Sequence, residues 1–281
     1  MTRLFLTLKC PDTIGIIHNV TGCLAENNCN IVESNQWTDS SNNTFYMRVA
    51  FDSYTFDYVD LSDLFQSVAT KFDMTYRVYE DRKTRVLILV SKSDHCLLDL
   101  LYRASNNSLP IDVVAIVSNH ESIEPIANQY KVPFFYWPAY HYNRKDQEAA
   151  IFNLYQAEYI DLVVLARYMQ VLSPDLCDKL GAKKVINVHH SFLPSFSGSQ
   201  PYQQAWKKGV KLIGATAHYV TSVLDDGPII EQEVERVDHS YTPEKLIAIG
   251  RDIETTVLAR AVRYHAEHRI FINDNKTVVF K

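Results

Sequence analysis

Four segments of this chain, Arg85–Ser91, Ile111–Ser118, Leu162–Ala166 and Val185–Val188, are nearly continuous runs of apolar residues. A strand with one face in water alternates apolar and polar side chains, so runs like these have to bury both faces. Helical patterns lie between them, over Cys96–Ala104, Ile123–Tyr130 and Gln147–Glu158, with a short strand at Pro133–Trp137. Strands alternating with helices build a mostly parallel α/β sheet covered on both sides, a Rossmann-like arrangement. Leu212–Val220 and Pro228–Val237 extend the sheet, and a long helix from Thr242 to about His268 closes it. Ligands of such sheets gather at the carboxyl ends of the strands.

The first 80 residues follow another rule. Leu4–Lys9 alternates as a strand, and Cys10-Pro11-Asp12 breaks it. A helix over Ile14–Glu26 places Ile14, Ile17, Val20, Thr21 and Leu24 on one face. Strands at Ile31–Thr38 and Phe45–Phe51, a helix at Ser62–Phe72 and a strand at Thr75–Tyr79 complete a ferredoxin-like β-α-β-β-α-β order. The charged stretch Glu80-Asp81-Arg82-Lys83 marks the boundary, giving domains at 1–80 and 85–281. The segment CPDTIGIIHNVTGCLAENNCNIVESNQ resembles an ACT domain, a small regulatory module that dimerises. The resemblance implies an amino-acid effector held across a dimer interface near Asp12, Gly15 and Asn30, and a homo-oligomer. Helix-start amides and a carboxylate suit a zwitterion; equally, Asp12 suits a helix cap.

Composition removes several function classes. A net charge of −5 argues against a nucleic-acid surface, which needs clustered Lys and Arg. The five cysteines at 10, 23, 29, 96 and 177 form no CxxC pair and have no zinc-ligand spacing, so they read as reduced core residues of a cytoplasmic protein. The start MTRLFLTLK is too short and broken for a signal peptide, and no run approaches the ~20 apolar residues of a membrane span. The first strand of the second domain ends in Val-Ser-Lys-Ser-Asp-His, without the glycines that let backbone amides cradle a phosphate.

The chemistry concentrates between residues 187 and 228, in NVHHSFLP, GATAHYVT and LDDGP. Asn187 follows a strand run, and His189, two residues on, shares its side of an extended chain. An amide donor at a carbonyl oxygen stabilises the oxyanion formed on attack. An imidazole moves the associated proton, and Asp225 orients a water or holds the imidazole.

NVHHSFLP, GATAHYVT and LDDGPII resemble the Asn-x-His and Leu-Asp-x-Gly-Pro signatures of the formyltetrahydrofolate-dependent formyltransferase family. The resemblance implies Asn187, His189 and Asp225 as catalytic residues. It also implies a folate pocket lined by Met169, Gln170, Val171 and Leu172, with Val223 and Leu224 closing over the pterin. His190 and His218 are placed at the pocket as well. The ACT-like segment, the double His189-His190 and the missing phosphate loop make the whole chain similar to the hydrolytic branch, the formyltetrahydrofolate deformylases. That implies hydrolysis of 10-formyltetrahydrofolate to tetrahydrofolate and formate, feeding purine synthesis and balancing folate pools, with no cofactor and no metal. Gln170, Gln203 and Ser222-Val223 depart from common family choices. Two rivals remain open: formyl transfer to an amine such as glycinamide ribonucleotide, and a non-catalytic amino-acid and folate sensor.

Overall fold

The computed structural model describes residues 1–55, 58–138, 144–191, 193 and 201–281 of the 281. It divides into two compact units: residues 1–82 with 268–271 and 279–281, and residues 83–267 with 272–278.

The first unit contains β1 (Thr2–Pro11), α1 (Ile16–Glu26), β2 (Cys29–Asp39), β3 (Thr44–Ser53), α2 (Tyr58–Lys71) and β4 (Thr75–Glu80). Its antiparallel sheet has the order β2-β3-β1-β4, the ferredoxin-like arrangement read from the pattern. Leu4, Leu6 and Leu8 alternate into a core with Val20, Leu24, Met47, Phe51 and Phe65. The first helix starts two residues later than expected. Gly15, at φ 94°, is the N-cap, because that left-handed turn suits a residue without a side chain. The buried face is therefore Ile16, Val20 and Leu24, while Ile14 is 99% exposed and Ile17 43%. Asp12 does not cap the helix.

The second unit runs β5 (Thr84–Val90), α3 (His95–Ser105), β6 (Ile111–Ser118), α4 (Glu124–Tyr130), β7 (Phe134–Tyr136), α5 (Arg144–Ala157), β8 (Leu162–Leu165), α6 (Pro174–Leu180), β9 (Val185–His189), α7 (Pro201–Lys208), β10 (Leu212–Tyr219), β11 (Ile229–Arg236) and α8 (Pro243–Ala266). The chain ends with β12 (Ile270–Asn273) and β13 (Lys276–Val279), a two-stranded sheet.

Seven strands form one sheet in the order β11-β10-β9-β8-β5-β6-β7. Strands β9 to β7 are parallel to one another; β10 runs antiparallel between β9 and β11. Leu87 and Leu89 pack with Ile151 of α5 and Leu176 and Leu180 of α6. Val86, Ile88 and Val90 alternate to the other face and are equally buried. Both faces are covered, as the apolar runs required. From β5 the chain winds outward to β6 and β7, then crosses back to β8 and β9. The order reverses between β5 and β8, which places a crevice at their carboxyl ends.

Sequence periodicity missed α6, α7 and the terminal pair β12-β13. Ser173 caps α6 through its hydroxyl, accepting from Leu176 N, and Pro174 opens the helix; this Ser-Pro signal precedes only seven helical residues. Among the described residues, no helix is long and apolar enough to cross a membrane.

Candidate active site

A cavity of about 550 Å³ opens at the carboxyl ends of β8 and β9, a volume suited to a ligand of a few rings. Its walls come from the turn after β8 (residues 167–172), from Asn187 to His189 of β9 with His190 just beyond it, and from His218 of β10 with residues 220–225 after it. All eleven residues expected at the catalytic and substrate sites line it: Asn187, His189, Asp225, Met169, Gln170, Val171, Leu172, His190, His218, Val223 and Leu224. Met169, Val171, Val223 and Leu224 are apolar yet more than half exposed, giving two apolar lips, one on the turn after β8 and one on the segment after β10. Phe192 and Pro194, at the end of the NVHHSFLP motif, lie outside the described residues.

Strand geometry assembles the polar end of this cavity. Asn187 and His189 are half-buried and share one face of β9, while Val188 between them is buried on the other. The antiparallel register of β10 sets His218 directly opposite Asn187. On its other side β10 meets a β-bulge in β11, where Ala217 pairs with Glu231 and His218 with Ile229, leaving Ile230 as the extra residue. His218 Nε2 lies 3.2 Å from Asn187 Nδ2, and His218 Nδ1 lies 3.0 Å from the Tyr219 carbonyl. A carbonyl only accepts, so Nδ1 carries the proton and Nε2 has the lone pair. The amide of Asn187 must then present its NH₂, one hydrogen to His218 and one to the cavity.

Asp225 arrives from the following turn. Its own φ is 53°, and Gly227 makes the turn possible: a Cβ there would sit 1.7 Å from the Tyr219 carbonyl oxygen. Asp225 Oδ2 lies 3.3 Å from His189 Nδ1, and Oδ1 is 3.6 Å from His218 Nε2. The His189 contact holds the Asp225 carboxyl well below the usual carboxylate range, against the opposing effect of burial. Such a group stays ionised and is a weak base. His189 Nε2 is buried without a partner and is the atom left to meet a substrate or water.

The turn after β8 is clamped from α5. Glu148 accepts from the Ser173 backbone N–H at 2.9 Å and from its hydroxyl, and Arg144 Nη2 donates to the Val171 carbonyl at 2.5 Å. Behind the cavity sits a buried group that the sequence reading did not select. Glu254 of α8 meets His95 Nε2 at 2.7 Å, Tyr202 Oη at 2.8 Å and Arg167 Nε at 3.4 Å. Burial works against the Glu254 charge, but these partners hold its carboxyl below the ordinary value. His95, Cys96 and Glu254 have ligand atoms within 4.8 Å of one another, though the carboxylate is already engaged by three side chains. One signal was available in the sequence: an acid set among Ile253, Val257 and Leu258 on the buried stripe of a helix.

Within one chain, the three residues expected to hold an effector across a dimer interface do not all lie together. Asp12 follows β1, where its N–H donates to the Asn43 carbonyl at 2.9 Å, and Gly15 begins α1. Asn30 pairs with Asp52 at the far end of β3, whereas Pro11 pairs with Thr44. Eight residues of strand separate those ends, roughly 26 Å at ~3.3 Å per residue. Within one chain, Asn30 cannot share a small-molecule site with Asp12.

Residues 84–262 match the family model described as Formyl transferase. A formyltetrahydrofolate deformylase of Corynebacterium sp. (strain P-1) is 49% identical, the match covering 99% of this chain and 98% of that protein. The formyltetrahydrofolate deformylase of Bacillus subtilis (strain 168) is 44% identical over 98% of this chain and 93% of its own. Among solved structures, the formyltetrahydrofolate deformylase of Burkholderia mallei superposes with a TM-score of 0.94 at 45% identity, covering each chain completely. With its cavity at the carboxyl ends of the strands and its Asn187, His189 and Asp225 cluster, this chain belongs to the formyl transferase family, among the formyltetrahydrofolate deformylases.

Proposed function

We propose that this chain hydrolyses 10-formyltetrahydrofolate to tetrahydrofolate and formate. The observation that carries the reading is the approach of an amide donor, an imidazole with a free Nε2 and an ionised carboxylate to one end of the cavity. The pteridine lies between the apolar lips at Met169, Val171, Val223 and Leu224, and the formyl group reaches Asn187.

In the chemical step, His189 Nε2 takes a proton from a water molecule as its oxygen bonds to the formyl carbon. Asp225, too weak a base to hold that proton itself, pairs with Nδ1–H and stabilises the imidazolium, a division of labour familiar from other acid–histidine pairs. The cavity-facing N–H of Asn187 donates to the formyl oxygen as it gains charge. His189 then returns its proton to N10, the C–N bond breaks, and formate and tetrahydrofolate leave. Every step uses the chain's own side chains.

The first unit acts in this reading as a regulatory and dimerising ACT-like module, with an amino acid bound near Asp12 and Gly15 and the protein a homo-oligomer. Asn30 of the same chain is not part of that pocket. The five free cysteines fit a reducing cytoplasm, and burial, with nearby acids, pushes the Cys10 thiol up to about 11. Formate release supplies purine synthesis and rebalances the folate pools. Asp225→Asn tests the core of the reading: formate release should fall by roughly 10²–10⁴-fold. Near-wild-type turnover would refute the assigned role. Turnover that waits for an added amine would favour group transfer.

A further inference from the structure

Two adjacent imidazoles line this cavity, with ring centroids 5.0 Å apart, and their surroundings differ. His189 turns Nδ1 to a carboxylate. His190 turns Nδ1 to a cation: Arg167 Nη1 lies 2.6 Å away. A guanidinium has N–H donors and no lone pair to offer. The contact is a hydrogen bond only if His190 Nδ1 is bare, which leaves the ring proton on Nε2.

Arg167 is held for that task from two directions. Its guanidinium is anchored to Glu254, which His95 and Tyr202 fix in turn. Its backbone sits at φ 63°, a left-handed conformation costing a side-chain-bearing residue about 1–3 kcal/mol. Ser91, at the end of β5, stabilises that bend. Its N–H donates to the Arg167 carbonyl at 3.2 Å, and its hydroxyl accepts from Met169 N at 3.0 Å. The same hydroxyl donates to Asn119 Oδ1 at 2.7 Å.

We propose that Arg167 is a positioning residue that holds His190 as the neutral Nε2–H tautomer, so that His190 supplies a second N–H donor, beside Asn187, to the formyl oxygen under attack. The inference rests on the hydrolytic reading above for its chemistry, but not for its tautomer. Burial first, then Arg167 and His189, lower the His190 pKa to about 4, against the weaker pull of Glu254 and Asp225. Tyr202, the remaining ring against it, is neutral, its hydroxyl pushed far up by burial and Glu254. The site thus divides one residue type into two jobs: His189 with a bare Nε2 to accept, His190 with a protonated Nε2 to donate.

Nitrogen-15 histidine labelling of the full chain, read by two-bond proton–nitrogen correlation, tests the tautomer without any turnover. The His190 signals are those lost in His190→Gln. They should report a bare Nδ1 and protonated Nε2, unchanged between about pH 5.5 and 8.5. A protonated Nδ1, or a titration in that range, overturns the proposal. Kinetics test the donor. A glutamine amide reaches the Nε2 position, whereas asparagine reaches only Nδ1. His190→Gln should keep kcat within about tenfold, and His190→Asn should lower it by roughly 10²–10³ with little change in KM. Equal losses would overturn the donor role. Arg167→Met should lower kcat and bring His190 into titration, with Arg167→Lys restoring part of both; where Arg167→Met fails to fold, the labelled wild type and the His190 pair still decide. Wild-type protein that shows the expected tautomer yet releases no formate would defeat the hydrolytic reading and the donor role, not the tautomer.

Discussion

His218 stands across the antiparallel register from Asn187, and its bare Nε2 accepts one of the two amide hydrogens at 3.2 Å. A freely rotating amide offers an oxygen as readily as an NH₂. Here the Tyr219 carbonyl fixes the imidazole, and the imidazole fixes the amide.

Replacing His218 with Leu removes that acceptor while keeping bulk in a site that is 2% exposed. Leaving a buried donor without its partner costs about 1–3 kcal/mol. The expected outcome is a fall in kcat of roughly 10–10²-fold with KM nearly constant, because the lost contact orients a group that acts only as charge develops. Steady-state kinetics on the purified variant check it; an altered KM with unchanged kcat would contradict it.

Gly227 permits the Asp225 turn by allowing close approach to the Tyr219 carbonyl. Gly227→Ala puts a methyl 1.7 Å from a backbone atom, so the turn must shift. Overpacking of this kind costs about 1–3 kcal/mol, and a displacement of about 1 Å at the carboxylate costs on the order of 10²-fold in rate. Thermal melting and formate release read the two effects; Asp226→Asn on the same turn is the control, because Asp226 is exposed.

The depressed Asp225 carboxyl also makes stability depend on pH in a defined direction. Its folded-state pKa lies below the unfolded value of about 3.9, so the stabilisation is present above that value and disappears as pH falls towards the folded one. Glu254 is displaced in the same direction and adds to the slope. Melting temperature should therefore drop below about pH 4, and less steeply in Asp225→Asn than in the wild type. Parallel curves would show that the His189 contact does not stabilise the fold.

Much of this arrangement was legible in the chain itself. The apolar runs required a doubly covered sheet, and the two-residue spacing of Asn187 and His189 put both on one side of β9. What escaped depends on distant partners. The facing of His218 follows from its antiparallel register with β9, which is not encoded within its own strand. Arg167 and Glu254 are 87 positions apart, and their meeting needs β8 and α8 folded around a common crevice. The start of α1 was misplaced because Ile14 fits the helical period, while Gly15 at φ 94° ends the extended segment first.

The central claim is that water receives the formyl group, and isotope transfer measures this directly. Purified protein, given 10-formyltetrahydrofolate in oxygen-18 water with no amine present, should release formate and tetrahydrofolate in equal amounts, each formate carrying one solvent oxygen. Formate without the label, or no formate until an amine is supplied, would contradict the account.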